Sequence, residues 1–289
     1  LERGLILPSD RPRLDKAIHR TILWRNSILV EIGLIVVVYV FGVSILWRDY
    51  MTLPTATWYA TPVAGGSELT LAGVWFGYVS LPIFQFLLCR WYFRLVLWTA
   101  LLWRISRLDL QLVPTHPDRA AGLGFLSATV YAFIPLLLAH GVLLSAVLAN
   151  QIFHAGARLP EFRLEILLMV IFLILLVVGP LTVFAAKLAR AKRQGLREYG
   201  TFAQRYVRAF DEKWLRRDEP DDSLLGTGDL QSLADLGNSF NVVREMRLVP
   251  VSKEAILQLA IVALVPLVPL LLTLMPLDEL LQKLIGVVF

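Results

Sequence analysis

Long apolar segments alternate with short charged connections along most of this sequence. A helix that crosses a hydrocarbon core of about 30 Å needs about 20 mainly apolar residues, because each residue rises about 1.5 Å and lipid offers the backbone no hydrogen bonds. Segments of this kind occupy residues 28–47, 73–92, 125–148, 166–186 and 255–276. The pattern predicts an all-α integral membrane protein with about five transmembrane helices.

The basic residues fall almost entirely in alternate connections. All but four of the 28 lysine and arginine residues precede the first span or lie at and between the ends of spans two and three and of spans four and five. The exceptions are Arg48, Arg158, Arg163 and Lys283. Because lysine and arginine are retained on the cytoplasmic side of short loops, we expect the amino terminus inside and the carboxyl terminus outside.

Polar and apolar positions outside the spans predict four regions. Leu14, Ile18 and Ile22 recur every fourth position, which predicts an amphipathic helix before the first span. Spans two and four run on without a proline stop, so two helices should extend into the cytoplasm. The expected regions are a cytoplasmic amphipathic helix (1–27), four spans with an outer loop at 48–72 (28–186), a cytoplasmic helical arm region (187–253), and the fifth span with an outer amphipathic tail (254–289).

Composition narrows the class of protein. The chain is 57% hydrophobic and only 18% charged, which excludes a disordered chain. Cys89 is the only cysteine, so no intrachain disulfide can form. The net charge of +5 comes from residues that flank spans, which favours contact with anionic lipid rather than with nucleic acid. We expect a multi-pass protein of a bacterial inner membrane.

Glu31 and Arg90 are ionisable residues about one turn inside the first and second spans. Because these spans run in opposite directions, both residues should lie at the same depth from the cytoplasmic side. A charge in hydrocarbon is costly and often functional, and pairing offsets much of that cost. The pair either belongs to an ion path or is a bridge that locks two neighbouring helices.

Arg90, Arg94 and Arg104 point within about 80° of one another on a helix. In a symmetric oligomer they would form arginine rings at the inner mouth of a pore, which would attract anions and repel cations. The alternative is a helix on lipid headgroups, anchored by the neighbouring tryptophans and arginines.

His140 lies just past the middle of the third span, five residues after Pro135. It could relay protons along an ion path, or it could be a neutral histidine hydrogen-bonded to a neighbouring helix. The other spans offer no matching His, Cys or carboxylate groups, so we expect no metal site and no cofactor.

Residues 115–125 (THPDRAAGLGF) form the most distinctive string in the chain. Thr115 and Asp118 have capping-box spacing and Pro117 suits a first helical turn, which predicts a helix start here. The alternative is a nest of free amides that binds an anion beside Arg119.

The function prediction is a homo-oligomeric ion channel or small transporter with an arginine-rich cytoplasmic vestibule. Its ion path would use Arg90, Arg94, Arg104, His140 and Glu31. Motifs for phosphate, dinucleotide or zinc-hydrolase chemistry are absent, so nothing in the sequence predicts an enzyme. The alternative is a non-transporting scaffold or signalling subunit that binds a soluble partner through its cytoplasmic helices.

Overall fold

The computed structural model describes residues 4–46, 58, 60–63, 66–216 and 227–274. Apart from one β-hairpin, the regular structure in these residues is helical. The strands are β1 (Ala60–Val63) and β2 (Gly66–Leu69), paired antiparallel. The α-helices are α1 (Arg11–Arg25), α2 (Ile28–Val37), α3 (Leu71–Trp75), α4 (Leu81–Ile105), α5 (Leu126–Thr129), α6 (Ile134–Ala155), α7 (Arg163–Val178), α8 (Ala185–Trp214), α9 (Asp229–Arg244) and α10 (Lys253–Leu264).

Tighter or wider helical turns continue several of these helices. Turns of the π type follow α2 (Val38–Leu46) and precede α4 (Phe76–Ser80), and turns of the 3-10 type occur at Pro8–Asp10, Val130–Phe133, Leu159–Phe162, Gly179–Phe184 and Val265–Leu274. Most intramembrane prolines lie in or directly after such a segment, because proline removes one N–H donor from the α-helical pattern.

Four continuous helices are long and apolar enough to cross a membrane. They are Leu71–Ile105, Leu126–Phe153, Leu159–Trp214 and Lys253–Thr273, and they correspond to predicted spans two to five. The first predicted span begins at Ile28, as the structure has it, but passes the same test only together with Pro8–Arg25, from which it is bent by 48°. The described residues therefore hold four candidate spans, or five when this bent pair counts as one.

The helical continuations are confirmed, with different limits. Beyond the fourth span, α8 continues to Trp214, and α9 follows within the predicted arm region. The helix of span two continues past the predicted end of that span at residue 92 and ends at Ile105. The predicted outer loop contains the β-hairpin, in which Thr61 pairs with Glu68. The predicted tail helix lies outside the described residues, and so does most of the loop before the hairpin.

The chain divides into two compact units. The smaller unit is Pro12–Ile105, and the larger unit joins Leu1–Arg11 to Ser106–Phe289. In the smaller unit, α2 with its π-helical extension packs antiparallel on α4. Val38 is buried at this contact, and Gly42 lies against the carboxamide of Gln85. A side chain at position 42 would occupy the space of that amide.

The larger unit has its core where α6, α7 and α10 meet. Leu136, Leu173 and Leu259 are fully buried there. A Cβ atom at Gly141 would lie 2.5 Å from the carbonyl oxygen of Ala263, so this glycine allows close contact between α6 and α10.

Helices α8 and α9 form an antiparallel pair in the same unit. The backbone oxygen of Asp229 accepts a hydrogen bond from Tyr206 (3.1 Å). Its carboxylate accepts from Lys213 Nζ (2.9 Å) and Trp214 Nε1 (3.1 Å). These contacts, chiefly the Lys213 hydrogen bond, lower the pKa of Asp229. They fix the first turn of α9 on the last turn of α8.

Candidate functional site

The predicted pair of Glu31 and Arg90 is confirmed. Arg90 Nη2 lies 2.9 Å from Glu31 Oε1, and each side chain is 41% exposed. The pair forms because α2 and α4 are antiparallel, which brings Glu31 in the first turn of α2 beside Arg90 in the middle part of α4. Half-exposed charges of this kind can be reached by a ligand as well as by each other.

A cavity of about 520 Å³ opens beside this ion pair and is called here the arginine cavity. Its lining residues are Arg25, Asn26, Val30, Glu31, Leu34, Arg90, Phe93 and Arg94. Helix α1 ends at Arg25 and α2 begins at Ile28, so the bend between these helices brings Arg25 into the wall. All lining residues belong to the smaller unit.

Three arginines and one carboxylate determine the charge of the cavity wall. Arg94 stacks on Trp91, with 5.1 Å between Cζ and the ring centroid. Arg25 Nε donates to the side-chain oxygen of Asn26 (3.2 Å). With Arg90 held by Glu31, the wall has a net charge of +2 and each guanidinium has a neighbour that orients it.

Arg104 lies in the last turn of α4 and is outside the wall of the arginine cavity. Fourteen residues separate it from Arg90, which is about 21 Å along a helix axis. The structure thus brings Arg90 and Arg94 together with Glu31, while Arg104 is on a similar side of α4 at a distance.

His140 belongs to the larger unit and bonds within its own helix. Its Nδ1 lies 2.7 Å from the carbonyl oxygen of Leu136, one turn earlier on α6. Since a carbonyl oxygen can only accept, Nδ1 carries the proton in this arrangement. The hydrogen bond fixes the ring orientation, and a role in an ion path stays a prediction.

Residues 115–124 form a loop around one carboxylate, called here the Asp118 loop. Asp118 Oδ1 accepts hydrogen bonds from the backbone N–H groups of Ala120 (2.8 Å) and Gly122 (3.1 Å), and Oδ2 accepts from Gly124 N–H (2.7 Å). The predicted helix start at Pro117 is wrong, because Asp118 bonds forward into a loop and α5 begins only at Leu126. The amides predicted to bind an anion are occupied by the chain's own carboxylate.

Burial and hydrogen bonding act in opposite directions on Asp118. Partial burial raises its pKa, but the three backbone donors and the adjacent His116 together outweigh burial, and the pKa lies below the ordinary value. The bonds also hold two non-glycine residues with positive φ, Arg119 and Ala121, both at 54°.

Arg247 connects the Asp118 loop to the segment before α10. Its Nη2 donates to the carbonyl oxygen of Asp118 (2.8 Å) and its Nη1 to that of Val251 (3.0 Å). Its backbone N–H donates to Arg119 O (2.7 Å), while Arg119 Nη1 lies 3.0 Å from Glu245 Oε2. Sequence reasoning missed Arg247, although it directly precedes a Leu-Val-Pro string that also occurs before the loop.

The chain that leads into each Leu-Val-Pro string lies against α8. Lys187 Nζ donates to the carbonyl oxygen of Leu108, and Lys192 Nζ donates to that of Met246 (2.8 Å). A Cβ atom at Gly195 would lie 2.7 Å from Pro114 Cβ and 2.9 Å from Val243 Cγ1. This close packing identifies the Asp118 loop as a structural junction.

Arg25 is the other residue that sequence reasoning missed. The sequence places it only among the basic residues before the first span, and its position in the cavity depends on the bend after α1. The available signal was the Arg-Asn-Ser string between two helical patterns, which marks a break in the helix.

Comparisons with known proteins give no function for this chain. A scan against family models finds no match, and neither curated proteins nor solved structures give one. Nothing in these comparisons points to an enzymatic activity. Within the part of the chain that the structure describes, no group of three or more His, Cys, Asp or Glu residues is close enough to hold a metal ion.

Proposed function

We propose that this protein is a homo-oligomeric ion channel or small transporter of a bacterial inner membrane, with an arginine-rich vestibule on the cytoplasmic side. The observation that carries the proposal is the arginine cavity, where Arg25, Arg90 and Arg94 surround one space and Glu31 is the only carboxylate among the lining residues. In a symmetric oligomer each copy would add a net charge of +2 to the mouth of a central path, which favours anions over cations.

The segments of non-α helix support a conduction path. Both α2 and α4 adjoin π-helical turns, and 3-10 segments interrupt the other candidate spans. Interrupted helices are tolerated in membranes where protein or a water-filled cavity satisfies the released backbone groups. Arg104 would form a second basic ring further along α4.

The test is conductance of the purified protein in a planar bilayer under a KCl gradient. We expect a reversal potential near the chloride value, shifted towards zero in Arg90→Gln and Arg94→Gln. Arg163→Gln is the matched control, since it removes the same charge from the first residue of α7. A silent bilayer with folded protein, or equal selectivity in all variants, contradicts the proposal.

The orientation is tested separately. We propose that the amino terminus faces the cytoplasm, because the basic residues before α2 and around α8 and α9 follow the positive-inside rule. In a Cys89→Ser background, a cysteine introduced at Gly65 should react with an impermeant maleimide in intact cells. A cysteine at exposed Phe202 should react only after lysis.

A second candidate is a scaffold or signalling subunit that binds a soluble partner through α8 and α9. The observation in its favour is Phe202, which is 51% exposed and lies about 200° around α8 from Gly200, the position that faces Phe240 of α9. An exposed aromatic side chain on the uncovered face suits a protein contact. Phe202→Glu should then abolish binding of that partner without changing thermal stability, while the parent protein conducts no ions.

A further inference from the structure

The geometry points to a phosphate group as the ligand of the arginine cavity. This inference deepens the proposed function and rests on it for its physiological meaning, since it names the anion that the vestibule receives. It requires only that Arg25, Arg90 and Arg94 act together on one ligand. Binding can therefore be measured independently of transport.

The first argument is the number of N–H donors that the three arginines of the cavity wall offer. A guanidinium has five N–H donors. Glu31 contacts Nη2 of Arg90, Asn26 accepts from Nε of Arg25, and Arg94 Cζ lies over the ring of Trp91. Donors remain on each group for a ligand, and the neighbours reduce the entropy lost on binding.

The second argument is the match between these donors and phosphate. Guanidinium groups bind phosphate oxygens through parallel pairs of N–H···O bonds, which are among the strongest in proteins. A halide has one centre of charge and cannot match several forks at once. Glu31 also repels any anion, so a ligand must offer enough oxygen acceptors to offset that repulsion.

The third argument is the size and composition of the cavity. A volume of about 520 Å³ exceeds that of one phosphate group and is typical of sites for small organic ligands. Val30, Leu34 and Phe93 give the wall an apolar part beside the arginines. This combination fits a phosphate ester with an apolar or neutral portion. That chemistry is shared by a phospholipid headgroup and by a soluble phosphorylated metabolite.

The experiment measures binding to the purified full-length protein with two kinds of probe. In the lipid arm, the protein is reconstituted in nanodiscs of phosphatidylcholine with brominated phosphatidylglycerol, and quenching of tryptophan fluorescence reports lipid beside α4. In the soluble arm, glycerol 3-phosphate is titrated calorimetrically in neutral detergent. Saturation in one arm alone identifies the source, and saturation in either supports the inference.

The variants assign binding to the cavity. We expect Arg90→Gln and Arg25→Gln to weaken binding about tenfold each, because each removes hydrogen bonds to a charged ligand. Arg163→Gln should bind as the parent does. Glu31→Gln should bind more tightly, since it removes a repulsive carboxylate, and this opposite sign keeps the test valid where an arginine variant loses stability.

The outcomes separate this inference from the proposed function. Phosphate binding without ion flux upholds the inference and contradicts the proposal of a channel. Chloride flux without saturable phosphate binding upholds the channel and contradicts the inference. Equal binding in the parent, Arg90→Gln and Arg163→Gln overturns the inference, and so does the absence of saturation with both probes.

Discussion

The Asp118 loop and the arginine cavity both gather groups that favour an anion, but only in the loop does a carboxylate of the chain balance all of them. In the loop, three backbone N–H groups converge on the carboxylate of Asp118. In the cavity, three guanidinium groups share a wall with the single carboxylate of Glu31. The carboxylate of Asp118 satisfies the backbone donors of the loop, which is therefore structural. The arginine cavity has a net positive charge that a bound anion would balance.

Removal of the Asp118 carboxylate should have the largest effect on stability. Asp118→Ala leaves three N–H donors without their acceptor and removes the bonds that hold Arg119 and Ala121 at positive φ. We therefore expect a loss of about 3 kcal/mol in the free energy of unfolding. The measurement is the thermal midpoint in detergent. The matched control is Asp235→Ala, whose carboxylate accepts one exposed bond from Gln231 and should change stability by less than about 0.5 kcal/mol. Equal midpoints for the two variants would show that the loop is not closed by Asp118.

Gly195 tests the packing beside the loop. Gly195→Ala should lower the free energy of unfolding by about 2 kcal/mol, because the new Cβ would overlap Pro114 and Val243. Five residues later on α8, the Cβ atom of Gly200→Ala would contact only Phe240, at 3.7 Å, among the described residues. That variant should instead gain about 1 kcal/mol, since alanine is the better helix former. Thermal midpoints that shift in the same direction would contradict this account of the junction.

Strong acidification should open the Asp118 loop. The pKa of Asp118 is lower in the folded protein than in the unfolded chain, so its contribution to stability is present above the unfolded pKa and is lost as pH falls through the folded pKa. The thermal midpoint should therefore fall in strongly acid solution, and part of this fall should be absent in Asp118→Asn. The effect is smaller than that of Asp118→Ala because a protonated carboxyl group retains an oxygen acceptor. A pH profile identical in the parent and Asp118→Asn would exclude this role.

Glu31→Gln should have the smallest effect on stability, less than about 1 kcal/mol, because both members of the ion pair are 41% exposed. Its larger effect should be on ligand binding, which distinguishes the cavity from the loop. A midpoint shift as large as that of Asp118→Ala would instead make the pair a structural bridge.

Sequence patterns predict the parts of the structure that depend on length and periodicity. The candidate spans follow from runs of apolar residues, and the Glu31–Arg90 pair follows from equal depth on antiparallel helices. The Asp118 loop does not follow from pattern, because Thr115, Pro117 and Asp118 also fit a helix start. Long-range contacts decide the conformation of this loop, above all the hydrogen bond from Arg247 to the Asp118 carbonyl oxygen.

The same limit applies to the arginine cavity. Helical geometry places Arg90 and Arg94 on neighbouring positions of one helix surface. The contribution of Arg25 depends on the 48° bend after α1, which no periodicity in the sequence specifies.

The π-helical turns give the chain room to change its length. The hydroxyl group of Tyr39, in the extension of α2, donates to the carbonyl oxygen of Tyr78, in the turn before α4. A π turn holds about one residue more than an α turn, and both complete one rotation, so deletion of one residue from Phe76–Ser80 would restore an α turn and leave the helices on either side in the same rotational register. The same deletion within the regular part of α4 would rotate everything on one side of it by about 100°. We therefore expect natural variation in the length of this span to occur at Phe76–Ser80 rather than within α4.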